Sequence, residues 1–218
     1  MTYLKKYIEH VNNEVLNDPR RTSGEVWGSI GHLQFGFLHA QGLKPEHQFF
    51  DFGCGTLRGG SHFIRYLDEE NYIGYDISWV TVEKARTIIN SRPGLARKKP
   101  VVLSGGEELT CLKNLLSYQR FDFILAQSVF THLPEEEIEK LFKLLVKGLR
   151  EGAEDSAGGL YFTFNTPDPD IERQWYVFEQ PVSFYEGLCE QFNCKFKLFS
   201  PEEYPHPHGQ RMARVYDG

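Results

Sequence analysis

The sequence predicts a doubly wound α/β fold: a mostly parallel seven-stranded sheet with helices on both faces, an antiparallel edge strand and an N-terminal helical cap. Three observations carry this reading. Short apolar runs alternate with helical patterns between residues 48 and 164, the rhythm of parallel strands joined by crossover helices. The first run ends in a glycine turn, Asp51-Phe52-Gly53-Cys54-Gly55. The second ends in an acid, Asp76, twenty-one positions after Gly55. In such sheets, ligands bind beyond the carboxyl ends of the strands, where this turn and this acid would lie.

The elements follow in chain order. Tyr3, Leu4, Tyr7, Ile8 and Val11 recur at helical spacing, and Trp27, Ile30, Leu33, Phe37 and Leu38 form a second stripe. Residues 17–25, NDPRRTSGE, read as the loop between them, and 1–45 together form the cap. Gln48–Phe52 is short and apolar and runs into glycines, as a buried parallel strand does. Helical sequence continues to Leu67, and Asn71–Asp76 is the second strand. A helix spans Val80–Asn90, with strands at Val101–Leu103 and Phe121–Ala126. Pro134 and three glutamates open a helix to Leu149, since proline and acids favour a helix first turn. Leu160–Phe164 closes a ligand-binding core, 46–165.

Beyond Asn165 the rhythm breaks. Residues 166–182, TPDPDIERQWYVFEQPV, are a proline-rich insertion bearing aromatics. A helix over Ser183–Gln191 and two strands, Cys194–Phe199 and Gln210–Tyr216, complete an acceptor-side segment, 166–218. The SPEEYPHPHG connection is long enough for those strands to pair antiparallel at one sheet edge. The 218 residues fit one α/β domain.

Composition narrows the function. A net charge of −6 opposes a nucleic-acid binder that relies on a broad basic surface. No window approaches a membrane span, and the polar N-terminus has no signal-peptide core. Cys54, Cys111, Cys189 and Cys194 form no CxxC pair, which suits reduced thiols in the cytoplasm.

The glycine turn narrows the ligand. A dinucleotide fingerprint requires a third glycine where this chain has Arg58, and the P-loop pattern is absent. An acid at the second strand's end accepts bonds from ribose hydroxyls. A second acid, Asp51, suits a nearby ammonium better than a pyrophosphate. A ribose at one end and an ammonium at the other describe S-adenosylmethionine.

These residues resemble the class I S-adenosylmethionine-dependent methyltransferase superfamily, with its Rossmann-like methyltransferase fold. Asp51-Phe-Gly-Cys-Gly55 is similar to its first motif, Tyr72-Ile-Gly-Tyr-Asp76-Ile-Ser78 to its second, and Phe121 to Pro134 to its fourth-strand segment. The runs Leu33-Gln-Phe-Gly-Phe-Leu38, Gly55-Thr-Leu-Arg-Gly-Gly60 and His206-Pro-His-Gly-Gln210 are similar to a bacterial subgroup acting on small molecules, some in carbohydrate or cell-surface pathways. The resemblance implies that Asp51, Gly53, Cys54 and Gly55 line the methionine end; Arg58 is a candidate either for its carboxylate or for a solvated place in the helix first turn. It implies that Asp76 holds the ribose, with Ile77 against the adenine and Gln127 and Ser128 beneath the cofactor. Many relatives carry an Asp after the third strand to bond the adenine amino group. This chain has Ser104-Gly-Gly-Glu-Glu108, which leaves Gly106 or Glu107 for the adenine edge.

Methyl transfer from a sulfonium is a displacement, and a hydroxyl acceptor needs a base. His132, after the fourth strand, is the candidate; capping the helix opened by Pro134 is its other role. Trp27, His32, Trp175 and His206 are candidates for the acceptor side: Trp27 and Trp175, with Phe35 and Tyr176, for an acceptor pocket or else for core and lid packing, His32, with Gln34, on a helix placed to cover the cofactor, and His206, with His208, in a connection placed to fold over the site. Two histidines around Pro207 without a third ligand predict no metal site. The leading reading is O-methylation of a small molecule. A non-catalytic cofactor-binding partner subunit, a nucleotide-linked oxidoreductase and a protein methyltransferase are the alternatives. The acceptor and the oligomeric state stay open.

Overall fold

A computed structural model describes residues 2–17, 27–152, 157–170 and 172–217. Most of the expected 17–25 loop lies outside them, as does the side chain of Trp27. The seven strands are β1 Phe49–Phe52, β2 Tyr72–Asp76, β3 Val101–Ser104, β4 Phe123–Ala126, β5 Gly159–Phe164, β6 Cys194–Leu198 and β7 Arg211–Asp217. They form one sheet in the order β3-β2-β1-β4-β5-β7-β6. β1 to β5 are parallel, and β7 runs antiparallel between β5 and β6. The strand order reverses between β1 and β4, so the crevice of this doubly wound sheet opens above those two strands.

Burial explains the assignment of strands. Every residue of β1, β4 and β5 is buried, as expected of central strands covered on both faces. β6 alternates between exposed and half-buried positions, the pattern of an edge strand wetted on one side. Successive strand residues point to opposite faces and feed two cores. Phe50, Phe52, Ile124 and Phe162 pack with helices α6 (Thr110–Tyr118), α7 (Glu135–Lys147) and α8 (Val182–Phe192). Phe49, Phe123, Leu125 and Tyr161 pack on the other side with α2 (Trp27–Ala40), α3 (Gly60–Tyr66), α4 (Trp79–Asn90) and the short α5 (Pro93–Ala96).

Local chemistry sets the ends. α7 starts after Pro134 with three glutamates in its first turn and stops at Lys147, because Leu149 turns back to bridge Phe121. That bridge leaves Phe121 just outside β4. The periodicity does not anticipate α5 or α6: at 4 and 9 residues, each is too short to show a stripe. The first helix, α1 (Tyr3–Asn17), lies across the carboxyl edge. Three cleft loops hold it: Tyr3 Oη donates to the His132 carbonyl (2.5 Å), Ser78 Oγ to Asn12 Oδ1 (2.6 Å) and Thr2 Oγ1 to Glu107 (2.6 Å).

α2 approaches the glycine-turn loop closely at Gly31, where a Cβ would sit 2.5 Å from the Arg58 carbonyl oxygen. Replacing a helical glycine by alanine usually stabilises by about 1 kcal/mol. Gly31→Ala is expected to do the opposite, destabilising by roughly 1–3 kcal/mol as overpacking does, measured as a lower urea midpoint.

Candidate active site

The site is built where the β1 and β2 loops meet. Gly53 (φ +78°) and Gly55 (φ +55°) occupy the left-handed region, which glycine enters without Cβ strain. This lets the chain fold back so that Gly53 N and Cys54 N both donate to the Tyr75 carbonyl, at 2.8 and 3.0 Å. A Cβ on Gly53 would lie 2.3 Å from Val129 Cγ2, whereas one on Gly55 would meet nothing within 4 Å. Gly55 therefore borders open space. Its N–H donates to Asp76 Oδ2 (3.1 Å), and Ser78 N donates to Asp76 Oδ1 (2.9 Å).

The open space is a cleft of two adjoining lobes. One, of about 680 Å³, is mainly apolar, lined by Leu4, Val11, Ile77, Leu109, Leu133 and Leu141. The other, of about 730 Å³, is polar, lined by Gln34, Asp51, Thr56, Arg58, Thr81 and His132. Tyr7, Val11, Gly53, Asp76, Gln127 and Ser128 border both.

Burial dominates the electrostatics. Asp51 accepts from Tyr72 Oη at 2.7 Å. Burial still pushes its carboxyl up to about 7, with that hydrogen bond and Arg58 pulling the other way. Burial raises Asp76 to about 6 against its two amide donors. Arg58 is itself lowered by burial beside Tyr204 and Asp51, and among the described residues it makes no ion pair. Two buried acids and one cation, all facing the cleft, suit a ligand carrying both charges.

His132 closes the polar lobe. It ends a 3₁₀ turn, Phe130–His132, that follows the left-handed Ser128. Its Nδ1 lies 2.9 Å from the Tyr176 carbonyl oxygen and its ring stacks on Tyr7 at 5.6 Å. A carbonyl only accepts, so Nδ1 carries the proton and Nε2 keeps its lone pair. Burial lowers its pKa and holds it in that neutral form.

The cleft brings together Asp51, Gly53, Cys54, Gly55, Arg58, Asp76, Ile77, Gln127, Ser128 and His132. It does not bring in Gly106 or Glu107. Glu107 instead accepts from Thr2, and the same loop presents Leu109 to the apolar lobe. His32 is exposed, bonds the Gly28 carbonyl in its own helix and packs against His62. Trp175 is half-exposed and packs against Tyr3 and His10 under Lys6, outside the cleft wall. His206 is buried behind Gln127, 3.3 Å from its Nε2, and burial depresses its pKa to about 4. No group of three or more metal-ligating side chains occurs among the described residues.

Sequence reasoning missed Tyr7, Val11 and Leu109 as cleft residues. Tyr7 and Val11 belong to the α1 stripe, which does two jobs: it packs the helix down and roofs the cleft. A stripe longer than its packing partner needs would have been the signal.

A methyltransferase-domain family model matches residues 50–154. No curated protein matches the sequence. Many solved structures share the fold. Magnesium protoporphyrin IX methyltransferase from Synechocystis PCC 6803, with bound S-adenosylmethionine, superposes with a TM-score of 0.71 at 15% identity, covering 100% of this chain and 98% of that one. A methyltransferase from Streptomyces caelestis gives 0.62 at 13% identity, over 86% and 89%. An S-adenosylmethionine-dependent methyltransferase from Clostridium acetobutylicum gives 0.63 at 13%, over 98% and 99%.

Asp51 makes the free protein's stability depend on pH. Its carboxyl rises from 3.8 to about 7 on folding, so the folded state holds a proton that the unfolded chain releases. The resulting stabilisation is complete below pH 3.8 and is lost as pH rises to about 7. His132 and His206, lowered on folding, run the opposite way, so the diagnostic is a difference. The melting temperature of the wild type minus that of Asp51→Asn should fall between pH 5 and 8; a flat difference would contradict the buried acid.

Proposed function

We propose that this chain is a class I S-adenosylmethionine-dependent methyltransferase that methylates an oxygen of a small-molecule acceptor with His132 as the base. The observation that carries the proposal is the His132 tautomer: Nδ1–H is held by the Tyr176 carbonyl at 2.9 Å, which leaves Nε2 free beside the polar lobe.

The cleft fits the cofactor. Asp76 has its carboxylate oriented by two amides and retains lone pairs for a ribose diol. Ile77, Leu109 and Leu133 give the adenine an apolar slot. Asp51 faces the position of an ammonium and Arg58 that of a carboxylate, which relieves the buried charge of both. S-adenosylmethionine, when bound, supplies an activated methyl group. The chain's own contribution is to align the acceptor, exclude water and take a proton. α1 roofs both lobes through Tyr7 and Val11, which keeps water out. His132 Nε2 receives the acceptor's proton, and the Tyr176 carbonyl steadies the imidazolium that forms.

A polyhydroxylated acceptor, such as a carbohydrate or cell-surface precursor, suits the hydrogen-bonding groups Gln34, Thr56 and Gln127 around the polar lobe. The similarity over full length to a structure named for magnesium protoporphyrin IX supports a small acceptor rather than a macromolecule. No helix among the described residues is long and apolar enough to cross a membrane. The free thiols of Cys54, Cys111, Cys189 and Cys194 favour a reducing compartment such as the cytoplasm.

His132→Ala should lower kcat by about 10²–10⁴-fold, the range of general-base catalysis, while calorimetry shows S-adenosylhomocysteine affinity within a few-fold of wild type. Unchanged turnover would remove the base. Wild-type kcat should fall as pH drops through a value below the ordinary histidine 6.5, because protonation takes the lone pair. Asp76→Asn should weaken cofactor binding by roughly 1.5–3 kcal/mol, the worth of hydrogen bonds to a charged group.

A further inference from the structure

We propose that Gln210 is a positioning residue for the ligand-facing edge of β4: its side-chain oxygen clamps Ser128 in a left-handed backbone conformation and so sets the floor shared by both lobes. The inference rests on the cofactor assignment and does not depend on His132 being the base.

Ser128 has φ +56°, a conformation that a residue with a Cβ holds only when its surroundings enforce it. Three hydrogen bonds enforce it here. Ser128 N donates to Thr163 Oγ1 at 2.7 Å, Thr163 Oγ1 donates to Gln210 Oε1 at 2.8 Å, and Ser128 Oγ donates to the same Gln210 oxygen at 2.9 Å. The ring closes on one acceptor oxygen, which also accepts from Gln127 Nε2 at 3.4 Å. Thr163 is fully buried, so water cannot replace it. Next in the chain, Gln127 is held from the other side, with Tyr204 Oη donating to its Oε1 at 2.7 Å.

Topology explains why so distant a residue arrives here. β7 is antiparallel to β5, with Arg211 opposite Phe164, so the residue before its first position stands at the carboxyl edge. A parallel strand would begin at the far edge. Ser128 and Gln127 each border both lobes, and the reversal at Ser128 launches the turn after β4. A relaxed Ser128 would therefore change the shape of the junction where the lobes meet.

The test is a double-mutant cycle read by calorimetric affinity for S-adenosylhomocysteine and by melting of the free protein. Gln210→Leu should weaken affinity about tenfold, a size typical of coupling within one network. In a Ser128→Gly background the same substitution should cost much less, because glycine takes the left-handed conformation unaided. Gln210→Glu, which keeps an acceptor oxygen, should recover most of the loss. An equal loss in both backgrounds, or a lowered melting temperature with unchanged affinity, would overturn the proposal. If Gln210→Leu does not fold, Thr163→Val replaces it in the same cycle, with the same expected dependence on Ser128.

Discussion

The Asp76 carboxylate is the joint on which the rest of the molecule depends. Its two oxygens each take an amide hydrogen from a different loop, Gly55 after β1 and Ser78 after β2. The Tyr75 carbonyl beside it takes two more from Gly53 and Cys54. Four backbone donors thus converge on the end of one strand. They fix the glycine turn against β2, and the turn fixes the mouth of the crevice above β1 and β4. Ser78 also reaches α1 through Asn12, so the roof is registered to the same joint. A group so placed must stay partly ionised to hold its donors, yet burial opposes its charge. The compromise is a carboxyl raised to about 6 rather than a neutral acid.

Asp51 sharpens that tension. It is buried nearby and raised further, mainly by burial, with the Asp76 charge adding the smallest contribution. Burying two acids opposes the charge of each, and a ligand of opposite charge returns the lost stability when it binds. A cationic ligand does so and a pyrophosphate does not, because two phosphate charges beside two buried carboxylates would compound the repulsion. The third-glycine position occupied by Arg58 supports the same choice. This is the physical ground for reading a methyl donor rather than a dinucleotide in the cleft.

Much of this was legible in the sequence, and the pattern of success has a cause. Strand ends are written in local chemistry: Gly53 and Gly55 must turn, Asp76 must end a strand, and Pro134 must open a helix. The residues these signals name, from Asp51 to Ser128, do line one hollow. What failed to show was anything decided by packing between distant segments. Glu107 and Gly106 sit in a loop with no periodic signal, and the loop's path, which presents Leu109, follows from how α6 packs. Trp175 and His206 carry side chains typical of binding sites. Yet one is spent on α1 and the other buried behind Gln127. The α1 stripe was visible, but its second face, turned to the cleft, was not separable from an ordinary buried helix face.

The division of the cleft also bears on how rate is made. Displacement at a methyl carbon needs little from acid–base groups until the proton leaves, so positioning carries most of the acceleration. The residues that position are those bordering both lobes: Tyr7 and Val11 from the roof, Gly53 from the turn, Asp76 from the end of β2, Gln127 and Ser128 from the floor. They come from four separate stretches of chain, each tied to another by a hydrogen bond or a close contact. Gly53 is the clearest case: its missing Cβ leaves room for Val129 at a distance no side chain could tolerate, so the turn and the floor are one packed unit. A change at any of the four should therefore be felt at the junction before it is felt in the lobes.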